Sequence, residues 1–507
     1  MTAPPAAPRG AFDGWKPVVV AGVIAALAVF VVWGSLSPVP VMHDEWAYWL
    51  QADQYAHLHW KVASPPAPEF FEQLYVLVTP VFAAKYPPGY AMMVAPGFAL
   101  GVPALVPLLV AGLTGALVFA LARRVAGNPT AAITWVLWVG TFGNLRFRAA
   151  YFSETTTSLC WLVAWWALLE WRETRRTRWM AALALSISWG AITRPATMFV
   201  FAIPVGVVVV RDVIATKRWR DLAIGLATGC LVLGILPLWN AGTTGSWKTT
   251  PLALYTKQYL PFDIPGYTVD DTPPERALPP EMERVRSFLH DIKQTQATAP
   301  VWVTGFERGG LLLRDTFAGW RLPFALAFLL GLGALGASGW FALGTSALLI
   351  VAYLSQAHTA DWVVYYLETI PVLSFTAAVG AARALRALPA GAIPRWVTPV
   401  AALAFAMLLS TDVVTARDTL ARISAEPRLF REAVARLPKK PNVVFVKYSP
   451  RRNMHIALVE NRGMLPGAES WIVHDRGPDD LRLYAAAAGR TAYVFDEATG
   501  EFREARP

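Results

Sequence analysis

An adjacent acidic pair, Asp44-Glu45, follows the first long apolar run, inside His43-Asp44-Glu45-Trp46-Ala47-Tyr48-Trp49. A carboxylate at a membrane surface can act as a general base, taking the proton from an attacking hydroxyl. Other ionisable and aromatic residues recur at the ends of later apolar runs. They are Lys85 and Tyr86 before Pro87-Pro88, Arg146, Arg148, Glu154, Arg194 before Pro195, and the group His358, Asp361, Tyr365, Tyr366 and Glu368. Ionisable groups beside membrane spans are costly, so a set of them marks a candidate site. A carboxylate base together with Lys and Arg is suited to holding a phosphate beside an acceptor nucleophile. Each residue also has a plainer reading. Asp44 could be a helix N-cap. Arg148 could pair with Glu154, and Arg146 or Lys85 could snorkel to headgroups.

The residues from His43 to Trp60 mix apolar, aromatic and polar side chains at helical spacing. Asp44, Tyr48 and Gln51 share one face; Trp46, Trp49 and Leu50 share another. This predicts a short helix in the membrane interface with its aromatics at headgroup depth. Asp44 opens that helix, where the dipole favours negative charge. Glu45 would project about 100° further round, toward Trp49 and Ala52.

The elements that must position these residues are membrane spans. The chain has 507 residues, 55% of them hydrophobic and only 16% charged, with a mean hydropathy of +0.40. Its long apolar stretches define an α-helical polytopic membrane protein. The net charge is +10, but the basic residues sit in short loops between spans, which reflects orientation and not nucleic-acid binding. Cys160 and Cys230 fall inside spans, without disulfide or metal-ligand spacing. About eleven spans are expected, near 17–36, 103–122, 130–143, 156–171, 179–192, 197–210, 221–239, 322–336, 338–354, 362–382 and 396–414. The Pro/Ala-rich segment 1–16 reads as a disordered cytoplasmic N-terminus. A catalytic membrane domain then covers 17–415, with outer loops at 37–102 and 240–320. A further short helix is expected at 90–100, and an amphipathic one at 280–293.

Arg123/Arg124, Arg172–Arg178, Arg211–Arg220 and Arg383/Arg386/Arg395 occupy alternate loops. The positive-inside rule places these in the cytoplasm, and the candidate residues and the C-terminus outside. Residues 416–507 read as a small extracytoplasmic α/β domain. Strands are expected at 442–446, 470–473 and 491–495, with helices at 429–437 and 479–488. It carries no phosphate loop or paired acid, so it is expected to bind or buttress.

Taken together in order, several motifs resemble the GT-C membrane glycosyltransferases. They are Asp44-Glu45 after span one, Lys85-Tyr86-Pro87-Pro88-Gly89-Tyr90 before span two, and the Thr193-Arg194-Pro195 break. Asn240-Ala241-Gly242-Thr243-Thr244-Gly245-Ser246 and Tyr365-Tyr366 leading to Pro371 are similar to bacterial members. The likeness covers roughly residues 17–415 and is strongest to the branch of the protein O-mannosyltransferases and lipid A aminoarabinose transferases. The tail after 415 departs from it.

The resemblance implies transfer of a sugar from a polyprenyl-phosphate carrier to a hydroxyl acceptor outside the membrane. The acceptor would be an envelope glycan, a lipid or a protein. Asp44 takes the role of base in a single inverting displacement. Lys85 is the counterpart of the lysine before the Pro-Pro turn and would hold the donor phosphate, with Arg194 and Arg148 as further candidates. Glu45 and Glu154 would orient base or acceptor. Tyr86, His358 and Tyr366 would position substrate. No cofactor is required, although some GT-C branches bind a divalent cation through outer-loop carboxylates. His43, His57 and His59 invite a zinc reading as well. Two other classes stay open, a lipid-linked-sugar transporter or flippase and a non-enzymatic envelope-assembly protein. A transporter should show broken helices and ionisable groups at mid-membrane; here they cluster at span ends.

Overall fold

A computed structural model describes residues 14–389, 394, 396–450, 452–487 and 489–505. Most of the expected disordered segment 1–16, Arg395 in its basic loop, and Ala488 at the end of a helix candidate lie outside the described residues.

Helices dominate the first four-fifths of the chain. In order they are α1 (Lys16–Trp33), α2 (His43–Ala56), α3 (Gly89–Ala99), α4 (Leu105–Ala126), α5 (Asn128–Val139), α6 (Phe142–Arg148), α7 (Glu154–Thr174), α8 (Thr177–Ala191), α9 (Pro195–Thr216), α10 (Trp219–Leu233) and α11 (Ile235–Thr244). Then come α12 (Pro251–Tyr259), α13 (Pro280–Thr298), α14 (Val301–Thr316), α15 (Pro323–Leu332), α16 (Ala337–Tyr353), α17 (Ile370–Arg386) and α18 (Val397–Ala435). A helix coincides with each of the eleven expected spans. By length and apolar composition, five runs among the described residues could each cross a bilayer: α1, α4, α9, Trp219–Thr244 and α18. A sixth is the pair Gly319–Leu332 and Ala337–Tyr353, bent by 117°. Helices α5, α8 and α17 have only 12, 15 and 17 residues.

Small residues let these helices approach closely, as they do where lipid supplies no hydrophobic drive. A Cβ on Gly22 of α1 would fall 2.8 Å from the Gly112 carbonyl oxygen of α4. Basic loops expected on one side do meet at one end of the bundle. Arg124 pairs with Glu170, Arg172 with Asp212, and Arg218 donates to the Arg175 carbonyl. Asp44, Lys85, Glu154 and Arg194 gather at the other end.

Between α2 and α3 the chain forms a small antiparallel sheet of β1 (Val62–Ala63), β2 (Val76–Leu77) and β3 (Val81–Ala84), ordered β1-β3-β2. The tail adds β4 (Asn442–Lys447), β5 (Ser470–His474), α19 (Asp480–Ala486), β6 (Thr491–Asp496) and β7 (Glu501–Glu504). Their order is β5-β4-β6-β7; β4 runs parallel to both neighbours and β7 is antiparallel to β6. All three expected strands are present, and β7 is an addition.

Three expectations change here. Helix α18 continues through residue 415 to Ala435, so the expected boundary falls inside a helix. The tail is also not packed on itself alone. Its Val443, Phe445, Trp471, Val473 and Leu483 share one core with Ala47, Leu50, Phe70, Phe71 and Val76 of the first loop. Finally, Trp46 is covered by protein and does not face headgroups. It is 4% exposed, with the Arg431 guanidinium 4.0 Å above its ring.

Phe445 is fully buried between Phe70 and Tyr484. Phe445→Ala should cost about 3–5 kcal/mol and loosen the tail from the first loop. Limited proteolysis in detergent should then cleave after residue 435 faster than in the parent protein; equal cleavage would show that the shared core does not hold the tail.

Candidate active site

Helix α2 begins one residue before Asp44, and its N-cap is Met42. Met42 has no side-chain oxygen, so the cap is made from inside the helix. Glu45 Oε1 accepts from the backbone N–H groups of Val41 and Met42, both at 3.2 Å, and Oε2 accepts from that of Tyr151 at 3.1 Å. Glu45 is thus the capping residue. This corrects two expectations: Asp44 is not the cap, and the Glu45 carboxylate is spent on three backbone groups.

Asp44 is left free of that duty. Its Oδ1 accepts a short hydrogen bond from the Tyr86 hydroxyl. Among the described residues, Oδ2 has no hydrogen-bond partner. The Tyr86 ring stacks on Tyr48 at 4.4 Å, and Gln51 Nε2 donates to the Tyr86 carbonyl at 2.8 Å. The face predicted to carry Asp44, Tyr48 and Gln51 is therefore the face that grips Tyr86. Residues Pro87-Pro88 start α3 directly after it and fix the direction of approach.

Lys85 is 5% exposed. Its ammonium lies 4.3 Å from the Tyr75 ring centre, 5.0 Å from Tyr255 and 5.4 Å from Tyr86, and Asp263 Oδ2 is 3.5 Å away. Lys85 is thus held in an aromatic cage, not snorkelled into headgroups. Its fourth wall comes from the 240–320 segment, which Glu72 anchors by accepting from Tyr259 at 2.7 Å and from Arg276 Nε at 3.0 Å.

Arg194 stands where α8 gives way to α9. Its Nη1 pairs with Glu154 Oε1 at 2.6 Å and its Nη2 donates to the Tyr353 hydroxyl at 2.8 Å. The Tyr365 ring lies 5.3 Å from the guanidinium carbon. Ser153 ties this group to the first. It donates to Glu154 at 3.1 Å and shares a hydrogen bond with Tyr48 at 2.8 Å. Tyr365 lies within electrostatic reach of Asp44, Arg194 and Glu154 alike. Contacts through Tyr86, Tyr48 and Ser153 therefore join Asp44, Lys85, Glu154 and Arg194, with Tyr365 over Arg194, into one polar basin of linked side chains.

Three other expected residues sit behind that basin. Arg148 is 2% exposed. It donates to Asn144 at 2.5 Å and Ser158 at 3.2 Å, and lies over Trp138. Glu154 pairs with Arg194, not with Arg148. His358 is buried; its Nε2 meets the Tyr366 hydroxyl at 3.0 Å, and its ring stacks on Tyr365 at 4.6 Å. His358 and Tyr366 therefore back Tyr365 and do not line the basin. Burial pushes the His358 pKa down to about 3, and the nearby Arg308 adds to this, so it supports Tyr365 as a neutral ring.

The three first-loop histidines do not converge. His43 donates to the Met454 carbonyl at 2.9 Å, while His57 and His59 are exposed. Among the described residues, no group of three or more His, Cys, Asp or Glu is arranged to hold a metal ion. An apolar cavity of about 320 Å3 lined by Leu121, Trp165, Phe341 and Phe375 lies toward the basic loops and shares no residue with the basin. A cleft of about 570 Å3 is walled by Thr256, Glu275 and Asp263, the partner of Lys85. Tyr75, Tyr255 and Asp263 were not singled out from the sequence. Tyr75 adopts a left-handed conformation, φ 68°, which no local motif announces.

Comparison with solved structures gives the same architecture. Over 96% of this chain and 94% of the other, the fold is similar to ArnT from Cupriavidus metallidurans bound to undecaprenyl phosphate, with 16% identity and a TM-score of 0.53. The apo state of that protein gives 15% identity and a TM-score of 0.51, over 97% of this chain and 94% of that one. The arabinofuranosyltransferase AftD from Mycobacteria matches 95% of this chain and 35% of its own, at 13% identity and a TM-score of 0.39. That score is too low to define a shared fold. No family model matches the sequence, and no curated protein matches it. The chain has the GT-C fold, that of the membrane glycosyltransferases which its motifs resemble.

Burial raises the Glu45 pKa from 4.5 to about 7, against the pull of its hydrogen bonds from Tyr151, Met42 and Val41. A carboxyl with a raised pKa binds its proton more tightly folded than unfolded. Its contribution to stability is therefore largest at low pH and falls as pH rises from 4.5 to about 7, by at most about 1.4 kcal/mol per pH unit. Glu45→Gln should remove that fall. Thermal melting across this range should show a smaller decline for the variant than for the parent; parallel curves would place the titration elsewhere.

Proposed function

We propose that this chain transfers a sugar from a polyprenyl-phosphate carrier to a hydroxyl group on the outer face of the membrane. In this reading the N-terminus is cytoplasmic and the C-terminal domain extracytoplasmic. The observation that carries the proposal is the basin itself. A carboxylate with one oxygen held by Tyr86 is linked through that ring to a caged Lys85, and through Tyr48 and Ser153 to an Arg194 held by Glu154. The similar ArnT structure was solved bound to undecaprenyl phosphate, which supports a polyprenyl phosphate as the leaving group here. The acceptor is an envelope glycan, a lipid or a protein.

Asp44 takes the acceptor proton on Oδ2 while the acceptor oxygen attacks the anomeric carbon. The bond from that carbon to the phosphate oxygen breaks on the opposite face, so configuration inverts. The products are the glycosylated acceptor and polyprenyl phosphate. The phosphate already carries charge and needs no acid. Cations held in place before the reaction stabilise the charge that builds on it. Lys85 and Arg194 supply these, Lys85 exchanging its 3.5 Å contact with Asp263 for the phosphate. Glu154 and Tyr353 hold Arg194 in position. Arg148 acts from behind, by packing against Trp138.

The test is release of polyprenyl phosphate by purified protein given a panel of undecaprenyl-phosphate sugars. A charge-assisted contact is worth about 1.5–3 kcal/mol, so Lys85→Ala should lower efficiency toward the donor roughly ten- to a hundredfold. Donor kinetics unchanged by Lys85→Ala would remove Lys85 from the donor site. No release with any sugar in the panel would overturn the transfer reading.

A further inference from the structure

The C-terminal tail brings a histidine to the start of α2, the helix that carries Asp44. Met42 and Ile456 pair as an antiparallel bridge, and His43 donates to the Met454 carbonyl at 2.9 Å. These two contacts set residues 454–456 against the start of α2, at Met42 and His43. His455 is half-buried there. Its backbone N–H is fixed by Asn453 Oδ1 at 3.1 Å, and its ring meets Phe288 of α13 edge-on at 5.3 Å. Neither contact uses the ring nitrogens. Further along, Gly463 N–H donates to Asp53 at 2.9 Å and Gln54 donates to the Gly463 carbonyl at 3.2 Å. Residues 454–463 thus lie along α2 as a splint, and His455 is held by backbone contacts at its Asp44 end.

We propose that His455 is an acceptor-binding residue, placed by the tail to hydrogen-bond a hydroxyl of the acceptor beside Asp44. The inference rests on the reading of Asp44 as the base. An imidazole can donate from one nitrogen and accept at the other, which suits a hydroxyl-bearing molecule. Burial pulls its pKa below the ordinary histidine value, and the neighbouring His43 acts in the same direction, while Asp44 and Asp361 oppose it. A neutral ring keeps both functions.

The full-length protein in lipid nanodiscs would be given undecaprenyl-phosphate sugars, with octyl glycosides as the hydroxyl probe. His455→Ala should raise the KM for the octyl glycoside about tenfold or more, with donor half-saturation unchanged. His455→Gln, which keeps a donor and an acceptor, should recover most of the loss. His455→Asn supplies the same comparison if the alanine variant melts early. An unchanged octyl-glycoside KM would overturn the proposal, as would a parallel rise in donor half-saturation or a glutamine variant no better than alanine. Full turnover by Asp44→Asn would instead overturn the base reading, and the KM comparison for His455 would stand apart from it.

Discussion

The hydrogen bond from the Tyr86 hydroxyl to Asp44 Oδ1 joins two segments that the bundle would otherwise leave independent. One is α2, which carries the carboxylate. The other is the Pro-Pro turn, which carries Lys85. The bond fixes which oxygen of Asp44 remains open and sets the distance from base to cation through one tyrosine. Tyr48 and Gln51 hold Tyr86 from the α2 side, and Ser153 carries the same network on to Glu154 and Arg194. In the proposed reaction a base and a phosphate clamp must be fixed before substrate arrives if their charge is to act without reorganisation. This polar network, backed by aromatic rings, would meet that need at the end of a bundle whose other contacts are mostly apolar.

The tail and the 240–320 segment give the network its rigidity. A two-helix loop beside a membrane has little core of its own. Here the first loop buries Phe70, Phe71 and Val76 against the tail sheet, and buries Leu74 and Leu77 against Tyr255, Tyr259 and Met282. Asp44 therefore sits in a loop held from two sides by segments distant in sequence. The acidic pair is divided by the same logic. Glu45 is buried and spends its oxygens on the helix end, which leaves Asp44 free for the role proposed for it.

Much of this was legible in the sequence, for a physical reason. Asp44, Lys85, Glu154 and Arg194 are ionisable residues at the ends of apolar runs, where polarity contrast makes them stand out. Their order along the chain carried the resemblance that the fold then matched. Helical periodicity placed Tyr48 and Gln51 with Asp44 correctly. The division of labour within the pair was not legible. Met42 has no capping side chain, so the usual Ser/Thr-x-x-Glu signal for Glu45 is missing. Tyr75, Tyr255 and Asp263 were also out of reach, because a cage built from loops far apart in sequence leaves no spacing to read. Hydropathy marked where α18 leaves the apolar region but not where the helix ends. Trp46 looked like an interfacial anchor because nothing local announces the tail that covers it.

The central claim is that Asp44, and not its neighbour, accepts the proton. The most direct measurement is single-turnover release of polyprenyl phosphate by Asp44→Asn and Glu45→Gln, each checked for fold by thermal melting. General-base catalysis contributes roughly 10²–10⁴-fold. Asp44→Asn should lose about that much while still binding donor and still accepting the Tyr86 hydrogen bond, and Glu45→Gln should retain most of its turnover. Normal turnover by a folded Asp44→Asn, with Glu45→Gln inactive, would contradict the account.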